Sequence, residues 1–190
     1  MSVTKRNVLG ILVDAVDYEG AIQRIVECAE AGRTLTVSAL AVHGVMTGVL
    51  DSMHRYRLNH LDLVVPDGQP VRYALNWLHG AGLKDRVAGP ILMLKLCAVA
   101  AARGIPIFLF GSRPEVLAAL SARLRERFPA LIVAGTEPSK FRPLSAEEKA
   151  ATVEKIRSSG ARITFVGLGC PRQEVWAYEY RDVLSTPILA

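Results

Sequence analysis

The sequence predicts an α/β protein of Rossmann-like type, in which a mainly parallel sheet carries helices on both faces. Two observations lead to this prediction. Apolar strand-like segments alternate with helix-like segments along all 190 residues, a pattern typical of parallel strands joined by crossover helices. No repeat, low-complexity run or linker interrupts this alternation, so we expect a single domain over residues 1–190.

In the first half of the chain, cap and turn residues separate the predicted elements. Asp17 can cap a helix whose apolar residues recur at helical spacing, and Gly32 lies just after its end. The predicted elements are a strand over Val8–Val13, a helix after Asp17, a strand over Leu35–Leu40, a helix or broken helix over Val42–His60, a strand over Leu61–Val65 and a helix from Pro70.

The second half continues the alternation. Gly104 is expected to end a strongly apolar helix, and Ser145 with Glu148 three residues later forms a capping-box pattern. The predicted elements are a helix over Ile91–Arg103, a strand over Pro106–Phe110, a helix containing Val116 and Phe128, a strand over Leu131–Ala134, a helix after Ser145, a strand over Ile163–Val166 and the beginning of a strand at Pro187–Ala190. From the last of these we expect the domain to be truncated at its C-terminus.

Composition excludes several classes of protein. The chain is 51% hydrophobic, enough for a substantial core, but no apolar run reaches the roughly 20 residues of a membrane span. Cys28, Cys97 and Cys170 lack paired or metal-ligand spacing, which predicts reduced thiols, a cytoplasmic location and no metal site. The net charge of +5 suits phosphorylated ligands or anionic membranes, while scattered basic residues and few aromatic ones argue against nucleic acid.

Candidate site residues follow three predicted strands. Parallel strands present their carboxyl ends at one edge of a sheet, so these residues are expected to line a single crevice. They are Asp67, Gly68 and Gln69 after the strand that ends at Val65, Gly111 and Ser112 after Phe110, and Gly167, Gly169, Arg172, Gln173 and Glu174 after Val166.

Asp67 lies between a proline and a glycine. In the functional interpretation it is a carboxylate fixed at a strand end, able to accept a proton from an attacking hydroxyl. A solvated turn aspartate is the alternative, and Gln69 next to it is equally compatible with a polar turn. Gly111 and Ser112 offer backbone donors and a cap at a helix start, or form an ordinary strand-to-helix turn.

The segment Gly167–Glu174 contains the first two glycines of a dinucleotide fingerprint. Arg172 occupies the position of the third glycine, and no acidic residue about 20 positions further on ends a second strand. A nicotinamide-dependent oxidoreductase is therefore disfavoured. Gln173 and Glu174 fall in the first turn of the following helix, where Glu174 can also simply complement the helix dipole.

Three other residues have both functional and structural interpretations. The donor fork of Arg86 suits a diphosphate, and a surface ion pair is the alternative. His43 is a candidate ligand or base, although a structural histidine is the more common case. The helix start beside Cys170 predicts a lowered thiol pKa, but no histidine pairs with it in the sequence pattern, so nucleophilic catalysis is disfavoured.

Four spaced motifs together resemble the WecG/TagA/CpsF glycosyltransferase family, in order and over almost the whole chain. The aspartate-glycine and proline-x-glutamine-glutamate elements are the most distinctive. The motifs are Leu61–Gly68, Arg86–Pro90, Phe108–Ser112 and Val166–Glu174.

The resemblance implies an inverting transferase that moves an N-acetylmannosamine-type sugar from a UDP donor to undecaprenyl-diphosphate-linked N-acetylglucosamine. It implies a role in cell-surface polysaccharide or teichoic acid synthesis at the inner face of the plasma membrane, with no metal or other cofactor. By motif position, Asp67 is the expected general base, Arg86 binds the donor diphosphate, and Gln173 and Glu174 belong to the donor pocket. Gly111 is expected to allow close approach of the nucleotide.

The chain departs from the family pattern in two places. Ala39 and Ala41 stand where the family usually has threonine-x-asparagine, and His43 is a candidate substitute. The family also continues with a further strand and a basic appendage that meets the membrane, and we expect this form to lack both and to turn over slowly if at all. A nucleotide-sugar-binding module that has lost catalysis and serves a polysaccharide assembly complex is therefore the alternative function, and association into homo-oligomers is a further expectation.

Overall fold

A computed structural model describes residues 4–190, which form a six-stranded parallel sheet, a separate β-hairpin and eight helices. The strands are β1 Lys5–Val8, β2 Ile11–Asp14, β3 Leu35–Leu40, β4 Leu63–Pro66, β5 Ile107–Gly111, β6 Val133–Glu137, β7 Ile163–Gly167 and β8 Pro187–Leu189. The helices are α1 Tyr18–Glu30, α2 Val42–Leu50, α3 Ser52–Asn59, α4 Gln69–His79, α5 Gly89–Arg103, α6 Pro114–Arg127, α7 Ala146–Ser158 and α8 Arg172–Tyr180. The predicted Rossmann-like class is confirmed.

The large sheet has the strand order β4-β3-β8-β7-β5-β6, and every neighbouring pair is parallel. The predicted strand at Pro187–Ala190 is present as β8, and it lies in the middle of the sheet between β3 and β7. Because all the pairs are parallel, the carboxyl ends of β3, β4, β5 and β7 share one edge, as the sequence predicted.

The prediction of one strand over Val8–Val13 is wrong, because these residues turn back on themselves. Leu9 and Gly10 both have positive φ, at 55° and 89°, and the Asn7 side chain accepts a hydrogen bond from the Gly10 N–H at 2.7 Å. Two consecutive residues with positive φ are the geometry of a tight hairpin turn. The segment therefore forms the antiparallel pair β1–β2.

Capping residues set the helix boundaries. Asp17 accepts from the Gly20 N–H at 2.9 Å at the start of α1, and the predicted capping box of Ser145 and Glu148 is present at α7. The broken helix over residues 42–60 consists of α2 and α3, which meet at Asp51. The Asp51 carboxylate accepts from the N–H groups of Met53 and His54, so the first turn of α3 starts a new helix axis.

The predicted strand over Leu131–Ala134 is displaced toward the C-terminus. Leu131 is buried ahead of the strand, and β6 itself covers the half-buried segment Val133–Glu137. As the outermost strand it contains Thr136 and Glu137, which do not produce the apolar run by which buried strands are recognised. The position of β6 at the edge of the sheet thus explains why its predicted bounds were wrong.

Two apolar clusters cover the two faces of the large sheet, as the sequence predicted. On one face, α1, α5 and α6 pack against Val37, Leu63 and Leu109. On the other, α2, α3, α4, α7 and α8 pack against Leu40 and Phe108. Within residues 4–190, none of the helices has the length and apolar character needed to cross a membrane.

Candidate active site

A cavity of about 370 Å³ opens at the carboxyl edge of the sheet. The ends of β4, β5 and β7 bring Asp67, Gly111, Ser112 and Gly167 to its wall, together with Gln173 from the first turn of α8. These five residues come from the three strand ends that the sequence singled out, so the predicted convergence is confirmed for them. Its floor is apolar and includes Val37 and Leu189.

Asp67 is held by its backbone at the end of β4. Its N–H donates to the Leu40 carbonyl at 3.1 Å, which continues the β3–β4 ladder by one residue. The side chain is 21% exposed and faces the cavity. A carboxylate that is fixed yet open to solvent can take a proton from a bound hydroxyl.

Two groups contact the Asp67 carboxylate. Oδ2 accepts from the Gly89 N–H at 3.3 Å, at the first residue of the 15-residue helix α5, and Oδ1 lies 3.9 Å from Arg86 Nη1. A helix N-terminus favours negative charge, while an ion pair this long and solvated is weak. The carboxylate is thus oriented from α5 and can exchange its contact with Arg86 for another.

The segment before α5 is fixed beside Asp67. The Val87 N–H donates to the Pro66 carbonyl at 2.8 Å, and the Ala88 N–H donates to the Tyr18 hydroxyl at 2.8 Å. Arg86 precedes these two bonds, and its side chain is 44% exposed. The backbone of the segment is therefore anchored while the Arg86 guanidinium remains accessible to an anionic ligand.

Ala39 and Ala41 flank the aspartate. Ala39 lines the cavity and lies next to Gly89, whose position would bring a β-carbon within 3.2 Å of the Ala39 methyl group. The methyl group of Ala41 would lie 4.0 Å from a β-carbon at Gly68. Both alanines thus adjoin the Asp67–Gly68 turn, and neither offers a side-chain hydrogen bond to a ligand.

Gly111 and Gly167 lie on neighbouring strands and allow them to approach closely. A β-carbon on Gly111 would lie 2.4 Å from the Gly167 carbonyl oxygen, and Gly111 has φ of +110°. The next residue, Ser112, has φ of 56° and donates its N–H to the Gly167 carbonyl at 3.0 Å. In the structure, the group that approaches Gly111 closely is therefore the backbone of β7, and the expected approach of a nucleotide to Gly111 stays a prediction.

Gln173 organises the turn between β7 and α8. Its Oε1 accepts from the Gly169 N–H at 3.1 Å, and its Nε2 donates to Glu174 Oε1 at 3.2 Å. Gly169 has φ of +77°, a conformation that few other residues adopt readily. The side chain of Gln173 thus lies at the cavity wall with its amide already oriented.

Glu174 lies behind Gln173 and is only 1% exposed. Its Oε1 accepts from the Ser38 hydroxyl at 3.3 Å, and its Oε2 has no hydrogen-bond partner among the described residues. One ligand-type atom each of Glu174, His54 and Cys170 lies within 4.8 Å of the others. Glu174 therefore faces a buried polar cluster rather than the cavity.

The pKa values in this cluster are governed by burial. Burial raises the pKa of the Cys170 thiol to about 12, and the nearby negative charge of Glu174 adds to the rise. The predicted lowering of the Cys170 pKa by the helix start is wrong, because burial and a carboxylate outweigh a helix dipole here. Burial also lowers the pKa of His54, and the charge of Glu174 opposes part of that shift.

The remaining candidates lie outside the cavity wall. Gly68 caps α4 with φ of +95°, and Gln69 is exposed in the first turn of that helix. Arg172 donates to the Leu168 carbonyl at 2.6 Å and lines a second cavity of about 420 Å³ on the other side of β7. His43 is exposed in the first turn of α2.

Sequence reasoning missed Gly89 and His54. Gly89 contributes through its backbone N–H, for which the only signal is the glycine-proline pair that begins α5. His54 is 1% exposed, and its sole signal is a position three residues after the cap Asp51. Neither signal reveals which partner the residue meets, because that partner lies more than 20 residues away along the chain.

Fold and site together define an α/β protein with a largely apolar crevice that a few polar groups line, at the carboxyl ends of parallel strands, where such proteins bind nucleotide-type ligands. The sequence model that describes the WecG/TagA/CpsF glycosyl transferase family matches residues 6–190, almost the whole chain. The protein therefore belongs to this family, whose members are glycosyltransferases of cell-surface polysaccharide synthesis.

Proposed function

We propose that the protein is an inverting glycosyltransferase that uses a UDP-sugar donor and a lipid-linked acceptor. The observation that carries this proposal is the position of Asp67, a cavity-facing carboxylate oriented by Gly89 and paired loosely with Arg86. A base that lines a crevice, with a cation 3.9 Å from it, suits attack by a hydroxyl on a sugar diphosphate.

The reaction assigns one role to each of these residues. Asp67 accepts the proton of the acceptor hydroxyl while its oxygen forms a bond to the anomeric carbon. The bond from that carbon to the donor diphosphate breaks on the opposite face, so the configuration inverts and UDP leaves. Arg86 exchanges its 3.9 Å contact with Asp67 for the diphosphate and stabilises the charge of the departing group.

The family membership supports the choice of substrates. We propose an N-acetylmannosamine-type donor sugar and undecaprenyl-diphosphate-linked N-acetylglucosamine as acceptor, used at the inner face of the plasma membrane. Gly111, Gly167 and Gln173 would form the nucleotide side of the site, because they line the same cavity as Asp67 and come from other elements, β5, β7 and α8. The reaction as proposed uses no metal.

A transfer assay tests the proposal. UDP-N-acetylmannosamine and a short-chain prenyl-diphosphate N-acetylglucosamine are incubated with the protein, and the product is detected by mass spectrometry. We expect a disaccharide product with inverted anomeric configuration, and at least a hundredfold less of it with Asp67→Asn. Product formation that is equal in wild type and Asp67→Asn would contradict the role of Asp67.

A nucleotide-sugar-binding module without catalysis is the second candidate, and Ala39 and Ala41 favour it because they remove polar side chains next to Asp67. Calorimetry with UDP-sugars distinguishes the two functions: donor binding without transfer supports the module. The double variant Ala39→Thr/Ala41→Asn is expected to gain transfer of N-acetylmannosamine if the two positions select the sugar. An unchanged rate and unchanged donor preference would exclude that selection.

A further inference from the structure

A buried polar cluster lies on the opposite side of β3 from the crevice. Side chains alternate along a strand, so Ala39 lines the crevice while Ser38 faces the cluster, where it donates to Glu174. The other members are His54 from α3 and Cys170, which precedes α8. The cluster thus joins two helices that pack against each other on that face.

Three atoms in the cluster are left without partners. Both ring nitrogens of His54 and Oε2 of Glu174 lack any hydrogen bond among the described residues, and both residues are only 1% exposed. Buried polar atoms are nearly always paired, and an unpaired one costs about 1–3 kcal/mol. The carboxylate is the most demanding case, because the groups that meet it, the Ser38 hydroxyl, the Gln173 amide and the Cys170 thiol, are all uncharged.

The geometry matches a small cation. The ligand-type atoms of His54, Cys170 and Glu174 lie within 4.8 Å of one another. Zinc bonds of about 2.0–2.3 Å place neighbouring ligand atoms of a tetrahedron roughly 3.3–3.7 Å apart. Side-chain shifts of about 1 Å would therefore bring the three atoms to the distances at which they can all bind one zinc ion. Imidazole, thiolate and carboxylate are together a zinc-type ligand set, and they are unsuited to magnesium.

The surroundings of the cluster hold the ligands in place. Ser38 and Gln173 both donate to Oε1 of Glu174, which leaves Oε2 directed to the cluster. The Asp51 cap fixes the backbone of His54 at the start of α3. Such outer contacts are typical of metal ligands.

We propose that His54, Cys170 and Glu174 bind a zinc ion with three protein ligands and one water, tying α3 to the turn that carries Gln173. Binding transfers the thiol proton of Cys170 to solvent and forms the zinc–sulfur bond. The ion lies outside the crevice and supports the crevice wall through that turn. The proposal is independent of the transfer reaction and departs from the prediction, made from cysteine spacing, that the chain holds no metal.

Zinc titration tests the site directly. Tag-free protein is stripped with a chelator, and zinc is added in competition with a chromophoric chelator. We expect about one zinc per chain, and a loss of affinity of about tenfold or more in Cys170→Ala and in His54→Phe. Cys28→Ala is the matched control, because it removes a buried thiol in α1 and is expected to bind zinc as wild type does.

Two further measurements separate loss of a ligand from loss of the fold. His54→Phe replaces unpaired nitrogens by an apolar ring and should remain folded, yet zinc should raise the melting temperature of wild type and not of this variant. Cobalt in place of zinc should give a thiolate charge-transfer band in wild type and Cys28→Ala that is missing in Cys170→Ala. Failure to bind stoichiometric zinc, or wild-type binding by His54→Phe and Cys170→Ala, would overturn the proposal, as would a cobalt band that survives in Cys170→Ala.

Discussion

The two sides of β3 present polar groups in opposite ways. On the crevice side, Asp67 is partly exposed, and its charge meets a backbone N–H and a solvated arginine. On the other side, Glu174 is buried and meets only uncharged donors. A charge that must react is kept accessible and weakly paired, whereas a buried charge needs a fixed partner. In the proposed function, the first side carries out the chemistry and the second supports the crevice wall.

The largest effect is expected from Asp67→Asn, which removes the base without changing its size. Transfer should fall by about 10²–10⁴-fold, while donor affinity measured by calorimetry should stay within a few-fold of wild type. Asp182→Asn is the control, because that carboxylate is exposed beyond the end of α8. A parallel fall in donor affinity would assign Asp67 to binding instead.

Gly111→Ala tests whether the crevice wall needs the close approach of β5 and β7. The new methyl group would meet the Gly167 carbonyl at 2.4 Å in a backbone of φ +110°, so we expect a loss of about 3 kcal/mol in the free energy of unfolding. Gly80→Ala has positive φ but no neighbour within 4 Å, and should cost about 1 kcal/mol. Equal losses in denaturant titration would show that the contact with Gly167 does not matter.

Arg86→Ala tests the cation of the crevice side. We expect a fall of about ten- to hundredfold in transfer with weaker UDP binding, because the departing diphosphate loses its charge partner. Arg103→Ala is the matched control, since Arg103 also forms an exposed ion pair, with Glu30, at the far end of α5. Steady-state kinetics that are the same for the two variants would remove Arg86 from the site.

The smallest effect is expected from Ser38→Ala on the supporting side. It removes one long hydrogen bond to Glu174, so the free energy of unfolding should fall by about 1 kcal/mol, while the transfer rate should change little. Ser158→Ala is the control, because it loses an equally long hydroxyl bond, of 3.3 Å to the Lys155 carbonyl, within α7 and away from the cluster. A large loss of transfer activity in Ser38→Ala would contradict the view that the cluster side of β3 takes no direct part in the reaction.

Most of the fold and the three strand ends at the crevice could be predicted from the sequence. Strand ends were predictable because apolar runs stop at Pro66-Asp67-Gly68 and at the glycines 111 and 167, and parallel pairing then brings those ends together. The hairpin at Leu9-Gly10 was missed because leucine is an unusual residue at positive φ. The partners of Glu174 were not predictable, since they depend on the packing of α3 and β3 against α8.

The position of β8 has a consequence for how this chain folds. β3 and β4 form one parallel pair, β7, β5 and β6 form a separate group, and β8 is the only strand that hydrogen-bonds to both within residues 4–190. In synthesis from the N-terminus, residues 187–189 emerge after the other seven strands of residues 4–190. The two parts of the sheet can therefore share a hydrogen-bonded ladder only after residues 187–189 have been made, and such long-range parallel pairing is expected to form late in folding.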